Sequence, residues 1–371
     1  MIFNMYHFDY IYDVIPFVIV TLLGISCVNK KANGFCLLIV ALIVYLIVSS
    51  RGLTVDRDAL VYYSVFNHLQ NISFGEVSQY SSEMGQEVGF LLFEKIANVC
   101  GLNFFEFRFV FNFLCVIALL YILFEYIPGK FRIISYFIYV SMFLLFRDFT
   151  QIRLCFACLL SAISILKMID NKPYKSVIFF LFAVMFHNTS LIVFGVLLAI
   201  KFMSENKLYN IKFALLIISI CGFLSILKPA NYLITLPFMP SQLTRYQGTN
   251  DLNGATLGIN FIFSISLAIL LAFYYKKKEK RSVGYKYLYI SMLGSTCIAL
   301  VFNGVPILMR MQLLCFTGFI FFPAILYDIF MKKSLLGNYI FQIAIAVVFI
   351  LNFYRNLSSG IVYDYIPYWI K

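Results

Sequence analysis

Ten apolar runs punctuate this 371-residue chain, at residues 11–28, 34–50, 104–126, 131–147, 150–169, 211–227, 258–275, 284–303, 306–328 and 337–354. Each approaches the roughly 20 residues that a helix needs to cross the hydrocarbon core of a bilayer. Hydrophobic residues make up 62% of the sequence and charged ones 12%, whereas a soluble domain is nearer half apolar and a quarter charged. Within lipid, backbone polar groups must be satisfied inside the segment itself, which favours helices. The chain is therefore expected to be an all-α polytopic membrane protein, a single integral membrane domain over residues 1–371. The first run lacks a basic flank and a small-residue cleavage site, so it reads as a retained span.

The basic residues orient the spans. One alternate set of loops holds sixteen lysines, among them Lys130, Lys167, Lys172, Lys175, Lys201, Lys207, Lys212 and the run Lys276–Lys280, with only Arg132 and Arg281 beside them. The other side holds Arg51, Arg57, Arg108, Arg147, Arg153, Arg245, Arg310 and Arg355. Cytoplasmic loops collect positive charge of either kind, which explains the lysines and puts both termini outside. It leaves unexplained why arginine gathers on the outer face. Guanidinium suits bidentate phosphate contacts, so an outward-facing anion site is expected. The net charge of +12 is then a topology signal, and nucleic acid is not an expected partner.

Stretch 176–203 has lysines at both ends but is too short for two full spans. Two half-length helices broken at His187-Asn188-Thr189-Ser190 resolve the conflict and bring the count to about 11–12 transmembrane helices. Two outer loops are long, 51–103 and 228–257. In the first, Tyr62, Phe66 and Leu69 recur at helical spacing, and 88–100 reads as an interfacial helix with Glu94 and Lys95 on its polar side. The inner loops are too short for a cytoplasmic domain, so the chemistry is expected outside.

Ionisable groups near the outer span ends are costly unless they pair or line a cavity. Arg51, Asp56, Arg57, Asp58, Glu87, Arg147, Gln151, Arg153, His187, Arg245 and Arg310 stand there, with Tyr62 able to stack on a sugar ring. Arg147, Asp148, Gln151 and Arg153 share a tight turn. Eight outer arginines exceed the carboxylates Asp56, Asp58, Glu87 and Asp148 two to one, a surplus that calls for an external pyrophosphate or phosphate. Asp56 and Asp58 read either as acid–base groups or as the cap of a helix starting near Ala59. His187 reads either as a hydrogen-bonded core residue or as a proton acceptor. The nine cysteines suit buried packing, and neither a metal nor a cofactor is expected.

Asp58-x3-Tyr62-x3-Phe66, Glu87-Val88-Gly89-Phe90, Arg153-Leu154-Cys155-Phe156-Ala157 and Phe186-His187-Asn188-Thr189-Ser190-Leu191 occur in that order. Together they resemble the EpsG-like branch of the Wzy polysaccharide polymerases. Val88, Leu154 and Ser190 stand where that family has proline, glutamine and alanine. The resemblance implies a bacterial inner-membrane, multi-pass glycosyltransferase with a GT-C-like fold. It implies transfer of a growing glycan from undecaprenyl pyrophosphate to the terminal sugar of a lipid-linked repeat unit, on the periplasmic or outer face. Asp58, Glu87 or His187 would take the proton; Arg51, Arg57, Arg147, Arg153, Arg245 and Arg310, with Asp56, Tyr62 and Gln151, would hold pyrophosphate and sugar. Its partners would be the lipid-linked oligosaccharides, membrane lipid and a chain-length regulator. An O-antigen ligase, another polyprenyl-linked GT-C glycosyltransferase and a lipid-linked oligosaccharide flippase are the rival readings.

Overall fold

The structure, a computed structural model, describes residues 10–28, 32–227, 257–275, 281–303, 305–309, 311–330 and 335–370. Arg245 and Arg310 lie outside the described residues. The chain is an all-α polytopic membrane protein, with no named strand among the described residues. Among the described residues, six helical stretches are long and apolar enough to cross a membrane: Asn33–Ser50, Phe104–Tyr126, Gly129–Phe149, Ile152–Ile169, Gln312–Phe330 and Gly337–Leu357. Five shorter apolar helices accompany them.

Two compact units share the chain. The first comprises Met1–Phe156 and Phe322–Lys371. It contains α1 (Tyr10–Val28), α2 (Asn33–Ser50), α3 (Ala59–His68), α4 (Val77–Met84), α5 (Val88–Val99), α6 (Phe104–Tyr126) and α7 (Arg132–Tyr139). It also holds the start of α8 (Ile152–Ile169). Helix α2 packs against α1, α6 and α7, and α7 continues as a π-helix over Val140–Phe149. Long helix α6 starts where Asn103 accepts the amides of Phe105 and Glu106 (2.9 and 3.0 Å) while Glu106 accepts that of Asn103 (2.8 Å), a reciprocal cap.

Loop 51–103 is a small helical cap rather than irregular chain. The helical spacing noted in the sequence is realised: Tyr62, Phe66 and Leu69 are buried. Val65, Leu69, Val77, Tyr80 and Leu91 form its core. Helix α5 departs from the sidedness expected of it at its two charged residues. Glu94 and Lys95 point inward, whereas Val88, Ile96 and Val99 are exposed. The expectation assumed water behind the polar side; here Glu94 and Lys95 are buried on the helix together with Phe90, Leu91 and Ala97.

The C-terminal residues strap this unit. The amide of Gly52 donates to the Ile366 carbonyl (2.6 Å), that of Tyr363 to Val55 (2.9 Å) and that of Tyr368 to Ser50 (2.9 Å). This antiparallel pairing satisfies backbone groups at the exit of α2, where the helix can no longer do so. Nothing in the local sequence pattern announces it.

The second unit, Ala157–Phe321, contains most of α8, then α9 (Pro173–Phe186) and α10 (Ile192–Phe202). The break expected between 187 and 190 is present: α9 ends at Phe186 and Asn188–Leu191 forms a 3-10 turn. Phe180 and Phe194 stack across the hairpin, ring centroids 5.9 Å apart. Helix Val283–Val301 is buried on all sides among its neighbours. Run 306–328, read from the sequence as one span, contains the short helix Pro306–Met309 and the continuous helical stretch Gln312–Phe330, whose middle, Thr317–Phe321, is a 3-10 helix.

Candidate active site

The arginines of the first unit divide into two environments. At the end of α2, Arg51 is 1% exposed. Its Nε donates to Asp56 Oδ2 (2.8 Å), its remaining nitrogens reach the carbonyls of Val48 and Phe149, and it lies over the Phe149 ring. Asp56 Oδ1 meanwhile accepts the amides of Asp58 and Ala59 (3.1 and 2.9 Å), which starts α3. The capping reading therefore holds, with Asp56 as the capping carboxylate. Arg108, on α6, donates to the carbonyls of Ser49 and Arg51. Arg147 is fully buried over the rings of Phe143 and Tyr139, 3.8 Å from Asp148. Asp148 accepts from the Tyr139 hydroxyl and the Cys155 thiol, both at 3.0 Å.

These placements correct the counting argument. It weighed arginines against carboxylates alone. Main-chain carbonyls and aromatic faces are acceptors that the count left out: carbonyls engage Arg51 and Arg108, and Arg147 lies over two rings. Arg57 differs again: exposed, it donates to the Gly360 carbonyl of the strap (2.8 Å). Gln151 begins α8 through its backbone, its carbonyl accepting the Cys155 amide (2.9 Å).

Arg153 occupies the second environment. At the second residue of α8, it pairs with Glu87, the residue that opens α5. Its Nε lies 3.5 Å from the Tyr62 hydroxyl of α3, and its guanidinium faces the rings of Tyr62 and Phe90, each 5.7 Å away. The side chain of Arg153 is 18% exposed and that of Glu87 6%, against 2% and 0% for the Arg51–Asp56 pair. Burial pushes the Tyr62 phenol above its ordinary range, with the charge of Arg153 opposing; Asp58 and Glu87 are near enough to act on the same phenol. Three stretches widely separated in sequence, at 58–66, 87–90 and 153–157, thus meet at one guanidinium.

His187, in the second unit, caps the 3-10 turn. Its Nδ1 accepts the Thr189 amide (3.3 Å) and lies 2.9 Å from the Thr189 hydroxyl. Ser190 is buried with its hydroxyl 3.2 Å from that of Ser161. Glu94, which the sequence reading placed on a polar helix side, stands near enough to Arg153 for the two charges to interact. The signal was its spacing: seven residues past Glu87 on a helix puts it on the same face.

The EpsG family model matches residues 34–369, nearly the whole chain, and the chain belongs to that family. EpsG proteins are Wzy-like polymerases, which makes this a transmembrane protein of polysaccharide biosynthesis with a polymerase-like role. No curated protein and no solved structure matches the chain.

Proposed function

We propose that this chain polymerises lipid-linked oligosaccharide repeat units at the outer face of a bacterial inner membrane. The growing glycan passes from undecaprenyl pyrophosphate to the terminal sugar of a fresh lipid-linked unit. The meeting of Tyr62, Glu87 and Phe90 with Arg153 is the observation that carries this reading. Arg153 is the buried-edge arginine whose ion pair retains some contact with solvent, so an anion can reach it.

In the reaction, a hydroxyl of the acceptor sugar attacks the anomeric carbon of the donor. The new glycosidic C–O bond forms as the bond to the pyrophosphate oxygen breaks, and the electron pair leaves with the pyrophosphate. Arg153 stabilises that developing charge, which is a positioning and electrostatic task. The proton lost by the hydroxyl needs a base. Glu87 serves best, because engagement of Arg153 by pyrophosphate releases the carboxylate held against it; Asp58, near the same phenol, is the alternate acceptor. Tyr62 and Phe90 offer ring faces for a sugar. Arg57, Arg147, Arg245, Arg310, Gln151 and His187 are retained as candidates for the rest of a large substrate, and Arg51 and Asp56 as the support beneath it. A chain-length regulator would be the protein partner.

Purified protein supplied with lipid-linked repeat units, with and without a chelator, tests this directly. A ladder of polymer that survives chelation is expected, and Arg153→Gln should leave single units on lipid. Long polymer made by Arg153→Gln would sink the assignment. Units moved across the bilayer but never joined would favour a flippase.

A further inference from the structure

Glu94 has an environment unlike that of any other carboxylate discussed above. It is 0% exposed, and neither carboxyl oxygen has a hydrogen-bond partner among the described residues. The adjacent Lys95 does not compensate it: its ammonium donates to the carbonyls of Leu69 and Gln70 (2.9 and 3.3 Å) and lies over Phe74. Arg153 of α8 acts on Glu94 through its charge, and Glu94 in turn lies near enough to act on the phenol of Tyr80 of α4, which is stacked on His68 of α3 and near Glu83. Glu87 stands two turns earlier on the same face of α5, and α6 presents the rings of Phe107 and Phe111 to that helix. A carboxylate without donors in such surroundings costs far more than a carboxylic acid. Burial accordingly pushes Glu94 well above the usual carboxylate range, with Arg153 opposing.

We propose that Glu94 sets the charge of the Arg153 site: as a neutral acid it leaves the guanidinium to Glu87 and an incoming diphosphate, and as a carboxylate it competes with that diphosphate. The class of anion rests on the proposed function; the electrostatics do not. With Glu94 neutral, Arg153 and Glu87 sum to zero charge. Loss of its proton to solvent brings the sum to −1 in a setting where water screens little. Because the pKa is raised, the neutral form persists through the ordinary carboxylate range. Anion affinity is present below the raised value and lost as pH climbs through it. Glu94 is thus a positioning residue that acts through Arg153.

Two measurements on the purified full chain in detergent decide this. Infrared titration from about pH 5 to about pH 10 should show a protonated-carboxyl carbonyl band persisting above about pH 6 that Glu94→Gln lacks. A Glu94 already ionised at about pH 6 would overturn the proposal. Binding of inorganic pyrophosphate to the same preparations should weaken as pH rises past the infrared midpoint, by up to about tenfold per unit relative to Glu94→Gln. Pyrophosphate affinity that follows pH identically in wild type and Glu94→Gln would equally overturn it. Glu94→Leu supplies a second non-titrating side chain should glutamine disturb folding. A pH link in pyrophosphate binding without polymer from lipid-linked units would sink the proposed function and leave Glu94's role standing. Polymer without the pH link would do the reverse.

Discussion

Arg51–Asp56 and Arg153–Glu87 are both arginine–carboxylate pairs in one unit, yet they do different work. The first is sealed, 2% and 0% exposed, and each partner is spent on local backbone: Arg51 on the carbonyls closing α2, Asp56 on the amides opening α3. The second has an edge open to solvent, and its neighbours are ring faces and a phenol. A sealed pair whose members also hold backbone cannot exchange partners without unfolding its helix ends. An edge pair flanked by aromatic faces can trade its carboxylate for a ligand anion. The same two residue types thus make a scaffold in one place and the proposed reactive site in the other, and burial with backbone commitment separates them.

The largest effect should come from breaking the sealed pair. Arg51→Met strands Asp56 in the interior, a loss of about 3–5 kcal/mol, read as depressed thermal unfolding in detergent and low folded yield. The double variant Arg51→Met with Asp56→Asn should recover part of it. An Arg51→Met protein as stable as wild type would erase the distinction between the two pairs. Next in size, Arg153→Gln should lower polymerisation by roughly 10²–10³-fold, the scale of losing one preorganised donor to a developing charge. Its unfolding temperature should fall less than that of Arg51→Met. If both variants lose only stability, both pairs are scaffold.

Much of this was legible in sequence, for a local reason. Runs of apolar residues and the broken stretch at His187 depend on length and composition, which neighbours along the chain fix. Tyr62, Phe66 and Leu69 announced α3 by spacing alone. The failures share a non-local cause. Glu94 and Lys95 looked like a solvent-facing stripe, because a sequence shows which face is polar but not what stands opposite it. Gly52, with a β-carbon position only 2.8 Å from the Ile366 carbonyl, carries no sign of a strap arriving from more than 300 residues downstream. Nor does the sequence of run 306–328 show the 3-10 helix at Thr317–Phe321, where Gly318 lies against Ser291 with no room for a β-carbon. Counting charges also failed for Arg51 and Arg108, since carbonyl acceptors exist at every residue and leave no mark in composition.

The strap offers a smaller test of the scaffold side. Gly52→Ala places a methyl against backbone that cannot rotate away, which should cost about 1–3 kcal/mol. Faster proteolysis of the C-terminal segment would report it, and unchanged cleavage would show that the strap contributes nothing. Smaller again, Asn103→Ala removes the acceptor for two amides at the start of α6 and should cost about 1 kcal/mol. Hydrogen exchange at Phe105 and Glu106 checks it without relying on global unfolding.

Arg57 should give the smallest stability effect, and it is the sharpest discriminator. It is exposed and its hydrogen bond in this structure runs to one carbonyl of the strap, at Gly360. Truncation to alanine should therefore stay within about 0.5 kcal/mol of wild type. Exposure, which makes Arg57 cheap to remove, is also what makes it available to a ligand. If Arg57→Ala keeps its stability and still lowers polymer yield at limiting lipid-linked substrate, the site extends from Arg153 towards the strap. If yield is unchanged, anion recognition in this unit narrows to the half-open pair alone.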